Sequence, residues 1–366
     1  MRVLFYLGDN EWSGCARATL VAARGLVTRG HFVTIACGAG TRLDRLAIEA
    51  GIDTVPISAS AWAASGSREL RKVLKDRFIE VAVVHAERDH LIVATAMRAA
   101  GRGAVLRRVP AFDSTDAIKT SKLALKLAAS GIIVTTDQEL RDLKATPGWS
   151  VPPVAAPLGV DAAAYDEIQP ALRSRMRAPE RGLLVACAYD KSGRYRMGTV
   201  FRTLALLASR HGNMHVVVFG PGSTDDELRM HAAALGVGPI MSFLGERNDE
   251  REIMRAASAG WVIAGSDAAA FACLDFMALR VPVISERTPL TQHYVADGIT
   301  GMLLSPGDPS YTASGLAGFF TADDKRITMG AAARARVQRE FAQSAMLDGF
   351  ERAVNAAGDR TKWTKS

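Results

Sequence analysis

AGSDAAAFACLDFMALRVPVISERTPLTQHYVADGITGMLLSPGD, residues 264–308, is the stretch whose reading decides the fold. It is entered through an apolar run, 261–264, that reads as a short buried strand. Gly265, Ser266 and Asp267 break the run and can cap the helix expected over 268–279, which carries Asp275. A second strand follows at 282–285. A strand, a tight turn, a helix start and an acid on each side make a binding crevice in an α/β sheet. The first N–H groups of such a helix favour a phosphate.

Outward from this stretch, strands and helices alternate in both directions. In the first half, strands are expected at 3–7, 32–36, 54–57, 81–85, 104–109 and 132–135. Helices are expected between them at 15–29, 41–50, 67–76, 89–100 and 120–129, with a last one at 138–144. The pattern restarts with strands at 183–186, 215–219 and 241–244 and helices at 199–210, 225–235 and 250–257. It ends in helices over 309–319, 324–342 and 344–356. Such alternation means βαβ units and parallel sheets. A chain of 366 residues is too long for one ordinary core, so two α/β domains are expected.

Composition narrows the class. With 48% hydrophobic and 23% charged residues the chain reads as globular, and no apolar run approaches the roughly 18 residues of a membrane span. MRVLFYLGDN at the start reads as a first strand, not a leader. Cys15, Cys37, Cys187 and Cys273 are scattered without metal-ligand spacing, which fits free thiols in a reducing cytoplasm and no metal site. The net charge of +7 favours an anionic partner. Aromatic residues do not interleave with the basic ones, so nucleic acid is not expected.

The opening stretch resembles the donor-binding segment of the retaining GT-B glycosyltransferases of family 4, the glycosyl transferases group 1. Their pattern is a glutamate, seven residues, a second glutamate with "AMAxGxPVI", then "dGxtGxLxxPgD". The matching residues are Asp267, Asp275, Met277, Ala278, Pro282, Val283 and Ile284, then Asp297, Gly298, Thr300, Gly301, Leu303, Pro306, Gly307 and Asp308. Both glutamates are aspartates here, about 1.5 Å shorter in reach, and Arg280 stands where the family has glycine. APLGVD, 156–161, is similar to the "PNGVD" at which the family leaves its first domain, with Leu158 for the asparagine.

The resemblance implies a GT-B architecture, two Rossmann-like doubly wound domains facing each other across a cleft. An acceptor-side domain is expected over 1–165, a charged, proline-flanked linker over 166–180 and a nucleotide-sugar domain over 181–340. The last helix, 341–366, would cross back to the first domain through Met346, Leu347 and Phe350. The implied activity is metal-independent, retaining hexosyl transfer from a UDP- or GDP-linked sugar to a glycan or lipid-linked acceptor, with no cofactor. In that mechanism the leaving phosphate takes the acceptor proton.

Site roles follow from the same resemblance. Asp267 would orient the donor sugar and Asp275 the ribose, since a carboxylate accepts two hydrogen bonds from a diol. Asp267 also fits as a helix cap and Asp275 as a surface acid. The turn 267–271, with Ala270 and Phe271, would offer N–H groups to the distal phosphate; Ala268 and Ala270 weaken it only if it needs positive φ. The family's phosphate-binding arginine and lysine, "GRxxxxxKG", become AYDKSGRYRMGTV, with Met197 at the lysine position. Arg194, helped by Lys191 or Arg196, would therefore stabilise the leaving diphosphate; ordinary solvated loop charges are the other reading.

EVAVVHAE is similar to the family's "DvvHxH", which puts His85 at the crevice lip, with Glu87, Arg88 and His90 toward the acceptor. Ser13 and Gly14 align with the glycine loop beneath the phosphates, although such residues also simply start helices. Gly220 and Gly222 match "GxGp", and Leu244 and Gly245 match "flG" beside the base. His293 falls where many relatives carry a glutamate. Two basic segments, 67–77 and Lys119, Lys122 and Lys126, suit either a solvated helix face or peripheral contact with an anionic membrane. The expected location is cytoplasmic, in part on the inner membrane face, in polysaccharide or glycoconjugate synthesis. Two alternatives stay open: a noncatalytic binding subunit of the same fold, and a nucleotide-sugar epimerase.

Overall fold

The computed structural model describes residues 1–57, 64–101, 103–111, 129–208, 213–305 and 307–363. The chain forms two units, Met1–Leu158 with Gln343–Ser366, and Gly159–Ala342. The lysine helix expected at 120–129, with Lys119, Lys122 and Lys126, and Pro306 of the motif lie outside the described residues.

The first unit is a seven-stranded sheet of β1 Arg2–Tyr6, β2 Phe32–Cys37, β3 Asp53–Pro56, β4 Val81–Val84, β5 Ala104–Arg108, β6 Gly131–Val134 and β7 Pro153–Ala155. The order is β3-β2-β1-β4-β5-β6-β7 and the pairings are parallel. Short apolar runs such as VAVV in β4 are buried throughout because helices cover both faces of such a sheet. Edge strand β7 was not anticipated: it is three residues long and begins with Pro153, which an edge tolerates.

Helices α1 Gly14–Thr28, α2 Arg42–Glu49, α3 Ala64–Asp76, α4 Glu87–Ala100 and α5 Asp137–Ala145 connect the strands. Their starts follow capping chemistry. Ser13 caps α1, and Thr136 with Glu139 forms a capping box on α5. In α3, Leu70 and Leu74 are buried while Arg68, Arg71, Lys72 and Lys75 face outward. The terminal helix, Gln343–Trp363, belongs to this unit. Its Phe350 is fully buried beside Phe5, ring centroids 6.2 Å apart. Gly25 of α1 leaves room for Leu347, since a Cβ there would lie 2.2 Å from a Leu347 methyl.

The second unit repeats the design with β8 Leu183–Tyr189, β9 Met214–Phe219, β10 Met241–Gly245, β11 Ala259–Ile263, β12 Val283–Glu286 and β13 Gly301–Leu304. The order is β10-β9-β8-β11-β12-β13, again parallel. The helices are α6 Arg194–Ala208, α7 Asp226–Ala234, α8 Glu250–Ala256, α9 Ser266–Ala278, α10 Pro289–Tyr294, α11 Pro309–Thr321 and α12 Asp323–Glu340. Every residue of α9 from Ala269 to Ala278 is buried, and all of them except Asp275 are apolar, as befits a helix surrounded by core.

Segment 166–180 packs within this second unit. Ala171 donates to the Glu252 carbonyl at 2.8 Å, and Arg173 donates to the carbonyls of Pro179 and Gly182 at 3.0 and 2.8 Å. Asp166 meets Arg334 at 2.8 Å and Arg280 at 3.5 Å. Arg280 itself adopts φ +60°, the left-handed conformation that ends α9 and that a glycine would adopt without strain. Among the described residues, no helix is long and apolar enough to cross a membrane.

Candidate functional site

In the second unit the strand order reverses between β8 and β11, where an α/β sheet leaves its ligand crevice. Four loops meet there: 190–193 after β8, 220–225 after β9, Gly245 at the end of β10 and 264–267 after β11. Glycine makes the approach possible. A Cβ on Gly193 would lie 2.1 Å from the Ile263 carbonyl oxygen, and one on Gly220, whose φ is +110°, 2.1 Å from that of Tyr189. Gly220 donates to the Gly245 carbonyl at 2.9 Å, and Gly245 donates to Ser223 Oγ at 3.0 Å. Leu244 precedes Gly245 at a register shift of β10 against β9. The Lys191 side chain runs along Gly222, where a Cβ would lie 2.8 Å from Lys191 Cγ.

Asp190 ties these loops together. One carboxylate oxygen accepts the N–H groups of Ser192 and Gly193 at 2.9 and 3.2 Å and the Ser192 hydroxyl; the other accepts the Gly265 N–H at 3.1 Å. The residue escaped the sequence reading, although an aspartate two residues before a serine-glycine pair is a capping signal. Tyr189 precedes it, its phenol pKa raised by burial and then by Asp225.

The cations are placed differently from one another. Lys191 and Arg194 are exposed at the start of α6, which begins five residues earlier than periodicity suggested, because Asp190 nucleates a short 3-10 turn ahead of it. Arg194 pairs with Glu227 of α7, both half or more exposed. Arg196 turns the other way: Nη2 donates to the Ala264 carbonyl at 3.0 Å and Nη1 lies 3.9 Å from Glu286. Met197, at the family's lysine position, is fully buried in the core.

Helix α9 starts at Ser266, capped by Gly265, and Ser266 alone at this turn takes positive φ, +47°. Ala268 and Ala270 therefore sit in ordinary helix, and their side chains carry no backbone penalty. The early start also shifts the phosphate-facing donors. Ala269 already bonds the Gly265 carbonyl, so Ala270 and Phe271 lie inside the hydrogen-bond ladder; the first-turn N–H groups are those of Gly265 to Ala268. Asp267 is 1% exposed in that first turn, where a carboxylate suits the helix dipole. Asp275, two turns on, is 3% exposed and accepts the Tyr165 hydroxyl, so it is an interior acid and not a surface one. The Arg251 guanidinium covers the Tyr165 ring at 4.7 Å.

The first unit has its own reversal, between β1 and β4. Ser13 caps α1 by accepting the Ala16 N–H at 3.2 Å, and Gly14 is the first helical residue. His85 is buried, with Nε2 2.8 Å from Thr19 Oγ1 and Nδ1 3.3 Å from Arg108 Nη1. A guanidinium only donates, so Nδ1 accepts and the ring proton lies on Nε2, toward Thr19. Arg108, fully buried on β5, packs beside the His85 ring. His90 is likewise buried within α4, while Glu87 and Arg88 are exposed in its first turn. Asp89 accepts the Gly8 N–H at 2.9 Å, and burial raises its pKa against that bond.

Cys37, Cys187 and Cys273 are free and buried, and burial pushes their thiols up to about 11, 12 and 12, so they stay protonated and unreactive near neutrality.

Residues 194–336 match the family model "Glycosyl transferases group 1". Among curated proteins, the D-inositol 3-phosphate glycosyltransferase of Corynebacterium jeikeium is 27% identical over 54% of this chain and 51% of its own length. The lipopolysaccharide core biosynthesis glycosyltransferase LpsE of Rhizobium meliloti is 23% identical over 43% of this chain and 46% of its own. The chain thus spans about half the length of the curated relatives it matches. Among solved structures, Anabaena HepE in complex with UDP and glucose superposes with a TM-score of 0.81 at 16% identity, covering 97% of this chain and 100% of that one. The fold is GT-B, with two Rossmann-like domains.

Proposed function

We propose that this chain, whose residues 194–336 match the glycosyl transferases group 1 family model, transfers a hexose from a nucleoside-diphosphate sugar, with retention and without a metal. The observation that carries the reading is the convergence of Lys191, Arg194 and the first turn of α9 on the β8/β11 reversal. A diphosphate placed there meets two cations and a helix N-terminus, which neutralise the charge that develops on the leaving group. The Arg194–Glu227 pair is no obstacle: an exposed ion pair is worth about 1 kcal/mol or less and yields to a diphosphate.

In this proposal the bond from the anomeric carbon to the diphosphate breaks as the acceptor oxygen attacks, and the acceptor proton passes to the departing phosphate. Asp267 orients the sugar. Asp275 reaches the ribose after exchanging its Tyr165 bond. Arg196, engaged with Ala264 and Glu286, holds the loop before α9. His85 orients the acceptor side of the first unit without acting as a base, since its Nε2 carries the proton. UDP is favoured as the nucleotide, with HepE solved around it. A saccharide or lipid-linked acceptor is favoured by LpsE, and the outward basic face of α3 suits an anionic membrane beside such an acceptor.

One observation favours a second reading, a noncatalytic binding subunit: Asp190, Glu227 and Tyr165 already occupy groups that a donor would need. Thermal shift against UDP, GDP, ADP and dTDP, followed by turnover of the matching sugars with and without acceptor, separates the readings. The transferase requires stabilisation by one nucleotide and acceptor-dependent turnover. Binding without turnover leaves the subunit reading, and acceptor-independent conversion of the sugar leaves an epimerase.

A further inference from the structure

The turn that starts α9 is entered through one peptide group that is gripped at both ends. The carbonyl of Ala264 accepts from Arg196 Nη2 at 3.0 Å, and the N–H of Gly265 donates to Asp190 Oδ2 at 3.1 Å. Both groups belong to the same peptide unit, the one joining residues 264 and 265. In a trans peptide they point in opposite directions, so a cation meets the negative end of the unit's dipole and an anion the positive end. A half-turn of this peptide would set the carbonyl against Asp190 and the N–H against Arg196, which both charges oppose.

Both partners are themselves anchored. The other oxygen of Asp190 accepts the N–H groups of Ser192 and Gly193 and the Ser192 hydroxyl, and Arg196 Nη1 lies 3.9 Å from Glu286 on β12. Gly265 lets the 190–193 loop close in, since a Cβ there would lie 2.5 Å from Ser192 Oγ. The next residue, Ser266, holds φ +47°, a conformation that a residue other than glycine keeps only where its surroundings impose it.

A negative side chain is out of place beside Lys191 and Arg194 if its only task is to cap a turn. Serine or asparagine would accept the Ser192 and Gly193 N–H groups as well, without repelling a diphosphate. What a carboxylate adds is a second acceptor oxygen, and that oxygen reaches Gly265. We infer that Asp190, opposed by Arg196, is a positioning residue for the donor. The pair fixes the 264–265 peptide, and with it Ser266 and the first turn of α9, in the orientation that meets the diphosphate. The inference rests on the donor reading above and requires no contact between Asp190 and the donor.

Asp190→Asn tests this by the sign of its effect. Its oxygen still caps the turn, while its amide NH2 faces the Gly265 N–H and cannot accept from it. If Asp190 only capped the turn, or competed with the donor for Gly265, losing its charge would tighten UDP. Positioning predicts the reverse: in calorimetric titration of the full chain, UDP binds about fivefold more weakly and uridine as before. The Gly265 amide is also expected to exchange faster with solvent by NMR. Asp190→Ser, which caps the turn without reaching Gly265, gives the same reading should Asp190→Asn not fold. The two grips act as a unit, so Arg196→Met should weaken UDP less in the Asp190→Asn background than in the parent. The inference is overturned if folded Asp190→Asn or Asp190→Ser binds UDP as tightly as the parent or more tightly. It is equally overturned if uridine weakens as much as UDP, or if the two substitutions act independently. A parent that binds no UDP is a different result, which removes the donor reading and this inference with it.

Discussion

Each unit places an aspartate at its sheet reversal, gripping a glycine N–H at the end of a neighbouring strand, and the two aspartates live in opposite surroundings. In the first unit Asp89 is buried and uses one oxygen on Gly8. In the second, Asp190 is half-buried, uses both oxygens, and ties together two loops beside the exposed Lys191 and Arg194. The same topology thus yields one edge with a buried aspartate and histidine and one with an exposed lysine and an exposed arginine, the latter in an ion pair with Glu227. A charge kept in water with its loop held still is ready for an anionic ligand; a buried network holds shape.

The largest effect that would sharpen this contrast comes from the buried side. Arg108→Ala removes a fully buried guanidinium from His85 and is expected to cost about 3–5 kcal/mol of stability, read as a lower denaturation midpoint, with UDP affinity of the folded protein unchanged. A loss of UDP affinity with normal stability would erase the distinction between the edges. On the exposed side the pattern reverses. Arg194→Ala should weaken UDP about tenfold while moving stability by less than about 0.5 kcal/mol. Glu227→Gln, which releases Arg194 from its pair, should tighten UDP about twofold; weaker binding would show that Glu227 helps and does not compete.

The two aspartates give a direct pair. Asp190→Asn retains one acceptor oxygen and loses the other, so a cost of about 1–2 kcal/mol is expected by urea denaturation. Asp89→Asn keeps its single bond to Gly8 and sheds a buried charge, so it should leave stability equal or higher at pH 7. The sign follows from linkage. Burial raises the Asp89 pKa above its ordinary 3.8, so the folded form takes up a proton before the unfolded chain does, and the parent gains stability as pH falls through that folded value toward 3.8. The advantage of Asp89→Asn should therefore shrink on acidification; an advantage that grows would contradict the assignment. The smallest effect is at Arg280. Replacing it with glycine relieves the φ of +60° and gives up a half-exposed contact with Asp166, for a net gain of about 0.5 kcal/mol in thermal denaturation.

The architecture was legible because it rests on local signals. Apolar runs of four to six residues between helical patterns announce parallel strands, and the motif around Asp275 announces the crevice. The backbone at Ser266 and the partners of Asp275 were not. A helix can begin one or two residues either side of a capping signal, and that choice moved Ala270 and Phe271 out of the phosphate-facing turn. Tyr165 reaches Asp275 across 110 residues of sequence, and Glu227 reaches Arg194 from a different helix. Segment 166–180 reads as a linker from its charges, yet Arg334 and Arg280, far along the chain, take up Asp166. Periodicity carries no information about such pairings, because it records which face is apolar and not which charge lies opposite.

The central claim is that the exposed edge of the second unit recognises a diphosphate. Calorimetric titration of the full chain with UDP and, separately, uridine tests it most directly, in the parent and in Arg194→Ala. The account predicts saturable binding of UDP at submillimolar concentration, much weaker binding of uridine, and loss of that difference in the variant. Equal affinity for UDP and uridine, or a difference that survives in Arg194→Ala, would contradict it.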